Sequence, residues 1–157
     1  ESWLQSILGH DLSRVDDCLG RHVIYHQVPA FAGSDRAMLD LLTATRGGRL
    51  AILELKVDED LHFPLQGLDY WIRVHWLQQQ RSTNGAGELQ QNGYFPGIPL
   101  IPHSPLLYFI VPALRVHPSM DTVLQHLSPA IDWTLIALNE AWRTEPKVVF
   151  RRRGGSA

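Results

Sequence analysis

At 157 residues, with 45% hydrophobic and 19% charged, the chain is long enough to bury one core without metal or disulfide staples. Its formal net charge of -2 and pI near 6.5 give no global electrostatic footprint for nucleic acid, although carboxylates of a metal site lower the count before ions bind. The single cysteine, Cys18, excludes an internal disulfide framework and a Cys-based zinc centre and fits a reducing cytoplasm, and no apolar run approaches the ~20 residues of a membrane span.

In chain order, Glu1 to Leu8 and Leu12 to Leu19 set Leu4, Leu8, Leu12, Val15 and Leu19 on one helical face. Arg21 to Val28 (RHVIYHQV) reads as a first strand. There His22 and His26 stand about 13 Å apart at ~3.3 Å per residue, too far to share an ion despite their helical zinc spacing. Arg36 to Arg46 and Arg49 to Val57 read as the second and third strands, joined through Gly47 and Gly48. Asp60 then serves as an N-cap and Pro64 fits a first helical turn, with Leu61, Leu65, Leu68 and Ile72 as the buried face. Gln66, Tyr70 and Arg73 make a second stripe on that helix, suited to phosphate contacts.

The stretch from Arg81 to Pro105, rich in Gly, Gln, Asn and Pro, reads as a long loop or partly ordered insertion. Leu106 to Val111 (LLYFIV) is a buried strand, Ser119 caps a short helix through Leu127, and Asp132 to Leu138 and Lys147 to Arg151 are two late strands. Arg151, Arg152 and Arg153 read as an exposed, solubilising end ahead of a nucleic-acid contact. Residues 1–157 form one domain in this reading, and a start at Glu1 without Met is compatible with excision from a longer chain.

Chemistry concentrates between Asp40 and Tyr70. Asp40 lies among Met38, Leu39, Leu41 and Leu42, where an unpaired carboxylate is costly to bury. Glu54 and Lys56 end the next apolar run and project to one strand face, with Leu55 between them pointing to the other. Two carboxylates, with the Leu55 carbonyl as a further oxygen, suit a hard divalent ion such as Mg²⁺ or Mn²⁺, and an adjacent ammonium can hold a water or stabilise developing charge. With twelve Arg and only two Lys in the chain, a lysine at this strand end points to a need for a compact ammonium. An isolated Glu-x-Lys is ordinarily a solvated face; Asp40 upstream and Gln66 and Tyr70 downstream set this one apart.

Asp40 with Glu54-Leu55-Lys56 resembles the signature of the PD-(D/E)xK nuclease superfamily, with Leu39 where a proline often precedes the Asp. Gln66-Gly67-Leu68-Asp69-Tyr70 resembles the Gln-x-x-x-Tyr motif of its RecB-like branch. The resemblance implies an α/β, restriction-endonuclease-like αβββαβ core, a mixed central sheet flanked by helices, here with extra C-terminal strands. It also implies a Mg²⁺- or Mn²⁺-dependent nuclease that cuts DNA in repair, recombination or defence. Asp40, Glu54 and the Leu55 carbonyl would hold the metal, with Lys56, Gln66 and Tyr70 completing the site. Glu1 is the expected first-helix acid; some relatives use a histidine upstream instead, and His10, His22 and His26 remain open for that role. Asp58, Glu59 and Asp60 read as acids stabilised by the following helix's dipole, in preference to a second metal cluster. The rival reading is a catalytically silent nucleic-acid- or protein-binding module on the same fold.

Register supplies a strict condition. A regular two-residue loop at Gly47-Gly48 would pair Asp40 with Leu55 and turn Asp40 away from Glu54, so an odd-numbered loop or a bulge between Thr43 and Leu53 is required.

Overall fold

The computed structural model describes residues 1–29, 38–80 and 87–155. Among them are helix α1 (Ser2–Leu8), strands β1 (Tyr25–Pro29), β2 (Met38–Ala44) and β3 (Leu50–Leu55), and helices α2 (Phe63–Gln79) and α3 (Glu88–Gln91). Strand β4 (Leu106–Pro112), helix α4 (Met120–Gln125) and strands β5 (Trp133–Leu138) and β6 (Val148–Gly154) follow. One six-stranded sheet runs β1-β2-β3-β4-β5-β6, antiparallel except for the parallel neighbours β3/β4 and β4/β5. The order α1-β1-β2-β3-α2-β4, with β5 and β6 appended, is the expected αβββαβ arrangement with extra strands. All six residues of β3 and of β5 are buried, as central strands covered on both faces should be.

Helices cover both faces. Leu4 and Leu8 of α1, with Leu12, Val15 and Leu19, pack on Leu41, Leu53, Leu55, Tyr108 and Ile110. On the opposite face α2, with Leu89 of α3 and Met120 and Leu124 of α4, packs on Leu42, Leu50, Ile52, Leu107 and Phe109. Gly67 permits the close approach of α2, since a Cβ there would collide with the Phe109 ring, which also meets Phe63 edge-on at 5.2 Å.

The β2–β3 turn meets the register condition. Ala44 pairs with Leu50, and Thr45 N–H bonds Arg49 C=O at 2.7 Å, which leaves the three residues Arg46, Gly47 and Gly48 as the loop. Gly48 has φ +89° and donates its N–H to Thr45 C=O at 2.9 Å, the left-handed third position of a three-residue hairpin. A Cβ at Gly48 would also strike the Pro99 carbonyl.

Several expected boundaries move. From Leu12 onward only a 3₁₀ turn, Leu12–Arg14, forms in place of a helix to Leu19, because Asp11 and Asp16 take the Ser13 and Cys18 N–H groups in local turns. Leu12, Val15 and Leu19 are nevertheless buried. Strand β1 begins at Tyr25, not Arg21, and the expected strand residues Arg36 and Ala37 lie outside the described residues. Residues 81–86 of the expected loop also lie outside them; its described part carries α3 and buries Leu89 and Phe95.

The main correction concerns α2. Its buried face is Phe63, Gly67, Tyr70, Trp71, Val74 and Leu77, while Leu65 and Ile72, expected inside, are each 52% exposed and Leu61 is exposed as well. Two apolar stripes compete on this helix, and the one carrying the aromatic rings and Gly67 wins the sheet. Trp71 is a core anchor whose indole N–H donates to Pro105 C=O at 2.8 Å. Among the described residues no helix is long and apolar enough to cross a membrane.

The two stripes should separate in urea denaturation: Leu77→Ala is expected to cost about 2–4 kcal/mol and Leu65→Ala under about 0.5 kcal/mol. Equal losses would place α2 in the other rotation.

Candidate functional site

Asp40 enters the site from β2 and Glu54 from the end of β3, and the pairing Leu41↔Leu53 puts these two residues opposite each other one step further on. Each carboxylate caps the other's strand. Glu54 Oε1 accepts the Asp40 N–H at 3.2 Å, and Asp40 Oδ2 accepts the Leu55 N–H at 2.9 Å. Glu54 is fully buried, and its Oε2 has no hydrogen-bond partner among the described residues. Burial first, then the neighbouring Asp40 charge, push the Glu54 pKa well above the usual carboxylate range. Burial likewise raises Asp40, against the opposing pull of the Leu55 N–H. The pair holds a proton into the pH range where free carboxylates have lost theirs.

Lys56 follows β3 directly and keeps its backbone in the sheet through a 3.1 Å bond to Ile110 C=O. Its ammonium lies 3.5 Å from Glu1 and 3.3 Å from Asp60. Burial works against the charge, but the Glu1 and Asp60 carboxylates outweigh it and raise the Lys56 pKa, so the group is a fixed cation. Glu1, at the N-terminus of α1, is thus brought to the site, where its charge raises both Asp40 and Glu54. Its direct partner is Lys56.

Asp60 is not the helix cap expected for it. The N-cap of α2 is His62, and Asp60 accepts the His62 N–H at 2.9 Å one turn earlier while it holds Lys56. The structure also adds Gln5 of α1, whose Nε2 donates to Asp40 C=O at 2.9 Å. The four-residue spacing of Lys56 and Asp60 carried a signal for Asp60, whereas Gln5 bonds a residue 35 positions away.

From α2, Tyr70 is 7% exposed, and its pKa is raised by burial and then by the Glu54 charge. Gln66, one turn earlier on α2, is exposed. Arg73, on the same stripe, pairs with Asp69 at 3.1 Å.

The histidines gather elsewhere. His10 and His26 line a separate cavity of about 330 Å³ with Ser2, Gln5, Ser6 and Gly9, and His26 fills the space a Cβ on Gly9 would need. Among the described residues no group of three or more His, Cys, Asp or Glu side chains is arranged to hold a metal ion. A cavity of about 960 Å³ contains none of the expected site residues; its Arg49–Asp132 pair (2.7 Å) and Asp16, which accepts from Tyr108 and pairs with Arg153, leave its charged groups partnered.

No protein-family profile matches the sequence, and no curated protein matches it. Its fold is similar to the crystal structure of a repair endonuclease from Pyrococcus abyssi, with a TM-score of 0.50 and 12% sequence identity over 80% of this chain. The match covers 42% of that protein, so this chain spans less than half its length. The α/β fold is therefore nuclease-like.

A carboxylate whose folded pKa is raised binds more protons in the native than in the unfolded state, so the metal-free protein should lose stability as pH rises above about 4.3, the ordinary Glu value, towards the folded pKa. Glu54→Gln removes that charge and should raise the metal-free melting temperature at pH 8 while flattening its fall between pH 5 and pH 8. A variant that melts lower than wild type by the same margin at both pH values would show that Glu54 is not held against its charge.

Proposed function

We propose that this chain is a PD-(D/E)xK-type deoxyribonuclease domain of the RecB-like branch, dependent on Mg²⁺ or Mn²⁺, that hydrolyses DNA phosphodiester bonds in a cytoplasmic repair, recombination or defence setting. One observation carries the reading: a fully buried Glu54 with an unpartnered Oε2, opposite a second carboxylate, at the C-terminal end of a strand whose neighbour runs parallel. An orphaned, buried anion of this kind calls for a proton or a cation. A metal ion therefore fits the residues present: Asp40, Glu54 and the Leu55 carbonyl would hold it, and Glu1 can turn to it from Lys56. When bound, the ion supplies Lewis acidity to the scissile phosphate and lowers the pKa of a water.

The chain's own groups divide the remaining work. Lys56, kept charged by Glu1 and Asp60, offsets negative charge that builds on the phosphate in the transition state. Tyr70, buried on α2 and sensing the Glu54 charge, would orient the site, and exposed Gln66 would face the substrate strand. DNA is preferred over RNA on the resemblance to the RecB-like branch.

A second reading has its own observation. Asp40 and Glu54 both spend an oxygen on backbone N–H groups and Lys56 is held by two acids, an arrangement a silent nucleic-acid- or protein-binding module could also keep.

Single-stranded, duplex, flap and RNA substrates incubated with Mg²⁺ or Mn²⁺ separate the two. Wild type should cut at least one DNA substrate, and Lys56→Ala should lower kcat by about 10²-fold or more with metal binding retained, as for loss of a transition-state contact. Tyr70→Phe and Gln66→Ala should lose less. Identical cutting by wild type and Lys56→Ala would assign the activity to a contaminant and favour the silent module. Millimolar Mn²⁺ should also raise the melting temperature of wild type and leave that of Asp40→Asn unchanged; a flat wild-type response counts against the metal.

A further inference from the structure

In an antiparallel strand the backbone groups of alternate residues face opposite neighbours. Thr45 faces β3, bonding Arg49, so Asp40, five residues earlier, faces β1. Its partner there by register is Gln27, between the pairs His26↔Leu41 and Val28↔Leu39. Gln27 does not behave as a strand residue. Its φ is +49°, a left-handed conformation that a residue with a Cβ rarely adopts. The backbone of β1 therefore turns at the position that faces Asp40, and side chains serve the Asp40 peptide groups: its N–H goes to Glu54 Oε1, and its C=O accepts from Gln5 Nε2 at 2.9 Å. Gln27 Nε2 in turn donates to Gln5 Oε1 at 2.9 Å.

The two amides thus form a directional relay, Gln27 to Gln5 to Asp40, joining β1, α1 and β2. Gln5 uses both ends of its amide, the nitrogen on the Asp40 carbonyl and the oxygen on the Gln27 nitrogen, which fixes its orientation. Strain of this kind persists where surroundings over-determine it, and it clusters at functional sites.

We infer that Gln5 and Gln27 are positioning residues for the carboxylate pair: they fix the Asp40 peptide, and through it the aim of the Asp40 carboxylate beside Glu54. This inference rests on the nuclease reading of that pair. Neither amide touches substrate or the reacting atoms in it.

The test uses Gln27→Gly, which suits the left-handed backbone but removes the donor, and Gln5→Met, which keeps the volume but removes both polar atoms. Three quantities are measured on the whole chain: the metal-free melting temperature, the Mn²⁺ dissociation constant by calorimetry, and kcat and KM on whichever DNA substrate wild type cuts. Gln27→Gly should hold or raise the melting temperature and yet weaken Mn²⁺ binding or lower kcat by about 10–100-fold, the usual effect of losing a group that orients a ligand, with KM unchanged. Gln5→Met should reproduce the loss.

Wild-type Mn²⁺ affinity and kcat in both variants would overturn the positioning role and leave the nuclease reading standing. So would activity that falls only in step with the melting temperature. If wild type binds Mn²⁺ but cuts nothing, the nuclease reading fails and the Mn²⁺ constants alone decide the role of the two amides. A wild type that binds no Mn²⁺ overturns both.

Discussion

Residue numbers of paired positions in β2 and β3 add to a constant, so Leu41 meets Leu53 and Asp40, one step on, meets Glu54. The three residues from Arg46 to Gly48 set that sum. A turn one residue shorter would shift every pairing by one and send the Asp40 carboxylate to the sheet face covered by Leu4 and Leu8, where it could not reach Glu54. Gly48 is held in its left-handed conformation partly from outside the hairpin, since its carbonyl accepts the Ile101 N–H at 2.9 Å and the Pro99 carbonyl leaves no room for a side chain. The chain after α3 therefore bears on the register of the candidate site.

Once the carboxylates face each other, the electrostatics are unbalanced by design of the fold. Lys56 is paired with Glu1 and Asp60, so among the described residues the Asp40–Glu54 pair is left with no cation of its own and the site holds four acids to one base. At full ionisation this cluster would repel a phosphodiester, and a proton or a cation on the buried pair weakens that repulsion. Two backbone N–H groups, from Asp40 and Leu55, are the chain's own contribution, and they reach one oxygen of each acid. The second Glu54 oxygen is left over. Desolvation of a carboxylate without a partner exceeds what one 3.2 Å hydrogen bond returns, which is why its proton is held so tightly.

Much of this was legible before the coordinates. The two apolar runs either side of Gly47 and Gly48 gave the hairpin, and the parity requirement there followed from counting. The order of elements through β6 also followed from apolar runs and turn residues. What failed has separate causes. Leu65 and Ile72 match a helical period as well as Val74 and Leu77 do, and periodicity cannot rank two stripes; the choice was made by Gly67, whose missing Cβ admits the Phe109 ring. Asp60 was misread because a helix cap and an ion-pair partner use the same residue type. Gln5 and Gln27 were invisible for a different reason: their bonds join residues 22 and 35 positions apart, and a glutamine in a left-handed strand position leaves no local trace.

Glu54 is the residue that separates a working site from a structural one. An apolar side chain of similar volume at this position would remove the desolvation cost and the repulsion from Asp40 while still filling the space beside Ile52 and Tyr70, and buried ionic groups replaced in this way commonly leave a protein equally or more stable. The Asp40 N–H that would lose its acceptor is one weak bond at 3.2 Å. Packing alone therefore gives no reason for a carboxylate here. Affinity for a cation does, because the features that make Glu54 costly in the metal-free protein, a dry pocket, a second carboxylate and an unfilled oxygen, are the ones that strengthen ligation of a hard divalent ion. On the metal reading, an ion here would share two carboxylates from neighbouring strands, which would tie metal binding to the register of the hairpin.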